Sequence, residues 1–426
     1  MQTDRRSLPL TLLLAAILFW IGLGVGDNMS DFHFWIQSTW TTMGLEWFFI
    51  VIYLLLSRRF LLFYSLWKEH RFITLVGLLW ALTVTFSYFS APYYSWQNTL
   101  ALMRYAETFS HIFFFIILWD FFKNFTVHYR ILFASVILSA LVVMGYFIYI
   151  HFAFPDLEAE KHVFSMRSKY LLLNTHLHRI GYQVEAAIGF ATAFLFAKKE
   201  KYIAVMVIGM LFVFLLWLGG RAAILGAFIT LLLCLFCFKK NISLPKLIGA
   251  GSLAVFLLAA AVHMQLFNLE YIAHAMHKTF QAGSLDHLLT GRLEVWSLVL
   301  KELQGHWLLG TGPQSYFFYL HRHADVIHAH NFILQMLGEW GIIGTALFAL
   351  LLYKAVVYGI QLHLQKFATD EKYHIAAGVV LLSLSMTGLV GGIYFFTQTS
   401  VYLALAFALW VTPSHTVNKK QAALQM

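Results

Sequence analysis

Long apolar runs recur along the whole chain, each of roughly 17–25 residues, enough to cross the ~30 Å hydrocarbon core of a bilayer. Nothing in that core hydrogen-bonds a backbone N–H or C=O, so each run must satisfy its own backbone. A run without alternation of apolar and polar residues does this as a helix. Composition agrees: 60% of the 426 residues are hydrophobic and 12% are charged, about half the charged share of a soluble domain. The chain reads as an all-α polytopic membrane protein, one integral membrane domain over residues 1–426. Hydropathy and length place about twelve spans, at 8–26, 40–57, 72–90, 98–121, 131–150, 180–197, 202–218, 222–238, 245–265, 330–360, 373–392 and 395–412. The first follows Arg5 and Arg6, no Ala-x-Ala-like cleavage site stands out before Asp27, and more spans follow, so it is expected to be a retained helix and not a signal peptide. Cys234 and Cys237 share one apolar run, which implies no disulfide framework.

Lysine and arginine set the orientation. With the N-terminus in the cytoplasm, that side receives Arg5, Arg6, Arg58, Arg59, Lys68, Arg71, Lys123, Arg130, Lys198, Lys199, Lys201, Lys239, Lys240, Lys246, Lys354, Lys366, Lys372, Lys419 and Lys420, which are 19 of the 29 basic residues. None of the others falls in the short outer loops at 27–39, 91–98 and 387–397. This is the positive-inside pattern, and it puts both termini in the cytoplasm. Membrane orientation also accounts for the net charge of +9. No nucleic-acid-binding motif accompanies the scattered basic residues, so nucleic acid is not an expected partner.

Two outer segments exceed what connection requires: 151–179 and 266–329. Long loops of this kind are usually functional. The second is expected to hold two short helices, Leu269–Phe280 and Gly291–His306, the latter with Thr290 as its N-cap. Its apolar positions Leu293, Val295, Trp296, Val299, Leu300 and Leu303 suit a helix lying on the bundle. "LLGTGPQSY" (Leu308–Tyr316) reads as a turn-rich connection.

The outer side carries the polar chemistry. Arg221 in "WLGGRAAIL" is open to two readings. One is snorkelling or structural pairing; the other is a bidentate grip on phosphate, helped by the tight approach that Gly219 and Gly220 permit. Arg292 in "TGRLEVW" is an ordinary exposed charge or, having the wrong sign for a helix N-terminus, a residue kept for another task. His328 and His330 admit three readings: a solvated pair, a metal site joined by His321 and His323, or acid–base and positioning work near neutrality. Asn331 is their hydrogen-bonding neighbour. Glu339 lies further along the same helix, as an intramembrane carboxylate or paired with a neighbour. Arg104 and Glu107, three apart on one span, suit a structural ion pair. A Walker loop, a dinucleotide glycine fingerprint, a DxD-like acidic motif in an outer loop and a nucleophile elbow are all missing from the sequence. External cations and histidines without nucleotide motifs fit a donor that is already activated, such as a lipid diphosphate.

"HNFILQMLGEWGIIG" carries His330, Asn331, Gly341 and Gly344 in the spacing of the O-antigen ligase/polymerase family of bacterial envelope glycosyltransferases, and the chain resembles that family. "GGRAAIL" with Arg221, "TGRLEVW" with Arg292, the Leu-Gly-x-Gly turn of "LLGTGPQSY" and "RIGYQVEAAIGFA" from Arg179 follow the family's order. Only three residues separate Arg292 from Trp296, where the family has about four. The resemblance implies a GT-C-like bundle of about twelve helices in the bacterial inner membrane, capped by the long periplasmic loop. It implies transfer of a glycan from undecaprenyl diphosphate, without metal, nucleotide or other cofactor, to a sugar hydroxyl of lipid A–core oligosaccharide in a ligase. In a polymerase the acceptor is another lipid-linked repeat. Carried over, Arg221 and Arg292 hold the diphosphate and His330 activates the acceptor, with Arg179, His328 and Asn331 as further substrate-binding candidates. Ligase is the first expectation and polymerase the second. A non-enzymatic flippase of lipid-linked oligosaccharide is a third, expected to spread polar groups through the bundle where this sequence gathers them at the outer face.

Overall fold

The computed structural model describes residues 6–24, 31–91, 95–153, 177–196, 200–238, 277, 291–315, 328–363 and 372–413. These form helices α1 (Ser7–Leu23), α2 (Asp31–Ser57), α3 (Leu62–Glu69), α4 (Arg71–Ser90), α5 (Ser95–Asn124), α6 (Tyr129–Ala153), α7 (Leu177–Ala191), α8 (Lys201–Leu218), α9 (Arg221–Phe238), α10 (Arg292–Glu302), α11 (Phe332–His363), α12 (Lys372–Gly388) and α13 (Thr397–Trp410). Short 3₁₀ turns at Thr192–Phe196 and Ile393–Phe395 complete them. Among the described residues six helices are long and apolar enough to cross a membrane: Ser38–Ser57, Arg71–Ser90, Thr99–Asn124, Tyr129–Ile150, Lys201–Leu218 and Phe332–His363. The shorter apolar helices Ser7–Leu23 and Arg221–Leu233, with α7, α12 and α13, occupy the positions of five further expected spans. The expected span at 245–265 and the expected helix Leu269–Phe280 lie outside the described residues, as do 154–176 and 316–327.

The centre of the bundle is α7, which packs against α6, α8, α9, α12 and α13. Its sequence explains the place. Gly181, Ala186, Ala187, Gly189 and Ala191 keep its surface thin, so neighbouring backbones approach closely, as small residues allow in membrane helices. Ala223 sits 3.2 Å from where a Cβ on Gly181 would stand. The helices α4 and α11 pack on each other at the periphery, joined by a second aromatic core of Trp80, Val84, Met336 and Trp340. Their remaining faces expose Leu75, Leu78, Leu82, Phe86, Ile342 and Ile343, which suits contact with lipid tails.

The two ends of the bundle differ. At one end Arg59 pairs with Asp120 at 2.7 Å, Arg130 with Glu200 at 2.6 Å, Lys123 with Glu69, and Arg6 reaches the Leu56 carbonyl at 2.7 Å. There His363 and His374, stacked at 4.9 Å, cap α13 by donating to the carbonyls of Trp410 and Leu409. At the other end the close of α1, the starts of α7 and α13 and the turn at 389–396 meet: Gln398 donates to the Ile21 carbonyl at 3.0 Å, and Arg179 to Gln398 at 2.7 Å. This second end lies opposite the one that carries the ion pairs of Arg59, Lys123 and Arg130.

Two boundaries differ from the sequence reading. Helix α10 begins at Arg292 with Gly291 as its N-cap, so Thr290 is not the cap, and it closes at Glu302, short of His306. The cause is Gly291, whose φ of +76° is left-handed and cannot belong to the helix. Helix α6 runs to Ala153 and α7 starts at Leu177, each reaching inside the bounds expected for the loop at 151–179.

Candidate active site

The broken helix is the scaffold. At Gly341 α11 leaves helical geometry (φ 66°, ψ −172°), a conformation open essentially to glycine alone. The break strands carbonyls before it and N–H groups after it. The 307–312 turn takes them up: Thr311 and Gly312 donate to the carbonyls of Gly338 and Glu339 at 2.8 and 3.2 Å, while Ile342 and Ile343 donate to Trp307 and Leu308 at 2.8 and 3.2 Å. Irregular backbone at membrane depth is tolerated where protein satisfies it in this way. The approach is so close that a Cβ on Gly310 would stand 2.6 Å from the Gly338 oxygen and the Gly341 nitrogen. The turn that the sequence marks as Leu-Gly-x-Gly is therefore the partner of the glycine that follows His330 and Asn331.

The histidines stand at the head of this helix. Asn331 caps α11, its side-chain oxygen accepting the Leu334 N–H at 3.0 Å. His330 is half-buried with a left-handed φ of 50°, unusual for a residue with a Cβ. Its N–H donates to His328 Nδ1 at 3.2 Å, and the two rings lie 3.9 Å apart. With Nδ1 accepting, His328 carries any single proton on Nε2. Its ring is buried against Gly392, where a Cβ would strike it, and lies 6.0 Å from Phe396.

Arg292 is brought to the histidines by its own helix. One turn on, the Trp296 indole N–H donates to the carbonyl of Ala329, between the two histidines, at 3.0 Å. Val295, Val299, Leu303 and Ala329 form a small core beneath. Burial holds the Arg292 guanidinium below its ordinary pKa. Tyr182 pushes it upward, and Arg221 pushes it down, so both lie within its electrostatic reach. Gly219 closes α8 in the left-handed conformation, and Arg221 opens α9 two residues later. Tyr182 occupies the middle. Its hydroxyl accepts the Gly392 N–H at 3.1 Å, its ring lies 5.9 Å from Phe396, and one turn on Glu185 accepts Thr387, which also reaches the Ala222 carbonyl beside Arg221 at 3.4 Å.

The structure thus links Arg292 to both Arg221 and Tyr182 and links Tyr182 to the His328–His330 pair through Gly392; Tyr182 is a residue that sequence reasoning missed. The sequence points instead to Arg179, one helical turn earlier. It is buried between α2, α7 and α13, donating to Ser38 and Gln398 at 2.7 Å each, a helix-joining task. His321 and His323 lie outside the described residues; among those described, no three His, Cys, Asp or Glu side chains form a group able to hold a metal ion.

The expectation that polar groups gather at the outer face needs correction. Arg104, Glu107, His111, Glu46 and Glu339 form a chain within the bundle: Arg104 donates to Glu107 at 2.7 Å and lies 3.7 Å from Glu339, and His111 meets Glu107 at 3.5 Å and Glu46 at 2.6 Å. Glu185 is likewise buried, accepting from Ser383 and Thr387. Charge is carried at such depth because each group faces a partner of complementary character.

A multi-pass helical membrane protein with two cations and two histidines converging at one end of its bundle is suited to acting on an anionic, membrane-bound substrate. Residues 204–349 match the family described as O-antigen ligase, so this part of the chain is an O-antigen ligase family domain. The matched segment contains Arg221, Arg292, His328, His330 and Gly341; Arg104, Arg179 and Tyr182 lie outside it. No curated protein matches the chain. Members of this family are glycosyltransferase-like ligases and polymerases, and the chain is an enzyme of that broad class.

Proposed function

We propose that the chain is an O-antigen ligase of the bacterial inner membrane, transferring a glycan from undecaprenyl diphosphate to a sugar hydroxyl of lipid A–core oligosaccharide on the periplasmic side. The observation that carries the reading is that Arg221 and Arg292 lie within electrostatic reach of each other, with the Arg292 helix bonded through Trp296 to the His328–His330 segment. Two guanidinium groups held near one another repel. An anion between them removes that cost, and the planar fork of each suits a phosphate oxygen pair. Cleavage of the anomeric C–O bond puts further charge on the leaving diphosphate. A fixed donor aimed there is worth about 2.7–4 kcal/mol where water is excluded. His330 takes the proton of the acceptor hydroxyl as that oxygen attacks the anomeric carbon, adding about 10²–10⁴-fold. Attack opposite the leaving group inverts the anomeric centre. In this reading the arginines carry the charge stabilisation and His330 the proton transfer, with no role assigned to a metal.

Gene deletion followed by gel analysis of lipopolysaccharide tests the reading. A ligase leaves cores without long chains while lipid-linked polymer accumulates. A core bearing a single repeat assigns the chain to the polymerases instead. Failure of the purified protein to form any glycosidic bond, with lipid-linked glycan confined to the cytoplasmic leaflet in the deletion strain, returns the flippase reading.

A further inference from the structure

We infer that Arg104, held by Glu107 and Glu339 inside the bundle, is a positioning residue for transfer: it fixes from below both the turn that buttresses His328 and the broken helix that begins beside His330. The inference rests on the reading just proposed.

Arg104 is 1% exposed and joins three elements at once. One guanidinium nitrogen donates to Glu107 on its own helix, and another donates to the main-chain carbonyl of Tyr394 at 2.7 Å. The guanidinium carbon lies 4.1 Å from the centre of the Tyr394 ring, and Nε lies 3.7 Å from Glu339. Tyr394 belongs to the 3₁₀ turn flanked by Gly392 and Phe396, which pack on the His328 ring. Glu339 stands two residues before the break at Gly341, and its carbonyl accepts both Gly312 of the docked turn and Ser87 of α4. Thr397, at the start of α13, donates to the other oxygen of Glu107 at 2.5 Å. One side chain therefore ties α5 to both supports of the histidine segment.

Stability alone is a poor account of such an arrangement. A buried ion pair is weak evidence for stability, since apolar residues of equal volume often do as well. The distinctive property of the guanidinium is direction. Its planar fork addresses a carboxylate, a carbonyl and a ring in fixed relative positions, which neither lysine nor an apolar side chain reproduces. A displacement of about 1 Å at a reacting group is enough to cost ~10²-fold in rate.

The test is a cycle of Arg104→Lys and His330→Ala on the full-length protein, reading single-turnover transfer and binding of a lipid diphosphate analogue. Arg104→Lys is expected to slow transfer by ~10²-fold with analogue binding nearly unchanged. In the His330→Ala background the same change is expected to cost less than about 2-fold, because a residue acting through His330 has nothing left to position. Losses that multiply, or full activity in Arg104→Lys, overturn the inference. If Arg104→Lys does not accumulate in the membrane, Glu339→Gln is read in the same cycle. Failure of both to accumulate assigns the cluster to folding and also overturns it. His330→Ala retaining full activity overturns the assignment of the base and leaves this geometry standing.

Discussion

Replacing Gly341 with alanine tests the broken-helix account at its narrowest point. The residue sits at φ 66°, ψ −172°, and a Cβ there would stand 2.5 Å from the Leu308 carbonyl carbon, with the Gly310 nitrogen and Leu308 oxygen closer still. All are backbone atoms, so no side-chain rotation relieves the clash. The conformation alone costs a residue with a Cβ about 1–3 kcal/mol. Escaping the clash means undocking the 307–312 turn and giving up the four backbone hydrogen bonds across the break, each worth about 0.5–1.5 kcal/mol. The expected loss is on the order of 4 kcal/mol or more, at the far end of what single substitutions do. A Cβ on Gly145, in α6, would meet nothing within 4 Å, so Gly145→Ala is the matched control. Thermal unfolding in detergent and limited proteolysis of 307–312 measure the effect. Gly341→Ala should unfold well below wild type, expose the turn to protease and lose transfer, while Gly145→Ala should behave as wild type. Equal melting of the two variants with the turn protected would refute the docking argument.

Other consequences are simpler to state. Asn331→Ala should cost about 1 kcal/mol as a lost N-cap and Asn331→Asp should recover it, measured by thermal unfolding. Trp296→Phe keeps the ring but leaves the Ala329 carbonyl without its indole donor, a loss of about 1–3 kcal/mol if water does not replace it; single-turnover transfer should fall more than analogue binding. Arg221→Lys and Arg292→Lys should both weaken binding of a lipid diphosphate analogue, because the charge is kept and the fork is lost. Full binding in either would reduce that arginine to a point charge. Transfer by the purified protein should survive EDTA; its abolition, with recovery on adding Mg²⁺ or Zn²⁺, would sink the metal-free step.

The apolar helices among the described residues and the order of motifs were legible in the sequence because each rests on local signals: run length and punctuating glycines. Arg104 and Glu107 were legible as a pair because three residues on a helix share a face. What escaped was whatever depends on distant segments meeting. Nothing in "LLGTGPQSY" says that its glycines dock on Gly341. Tyr182 carries no motif and becomes central only when Gly392 and Arg292 arrive beside it. Arg179, chosen from the same segment, is a cation whose hydrogen bonds to Ser38 and Gln398 join helices. The Thr290 cap failed for a different reason: capping preference is a weak local bias, and a left-handed Gly291 overrode it.

These two kinds of residue point to a division within the molecule. The part matched to the O-antigen ligase family supplies the charges and the imidazoles. The helices outside it, α5 and α7, contribute Arg104, Glu107 and Tyr182, which reach the site through backbone and packing. A phosphate grip depends on charge and fork geometry, and local motifs record both. The distance from that grip to a base depends on how separate helices are held, and no local motif records it. If the proposed transfer is correct, exchange of residues in α5 and α7 should alter the rate at fixed donor affinity. Exchange at Arg221 or Arg292 should instead alter donor affinity, so the two groups of variants should separate cleanly in a plot of rate against binding.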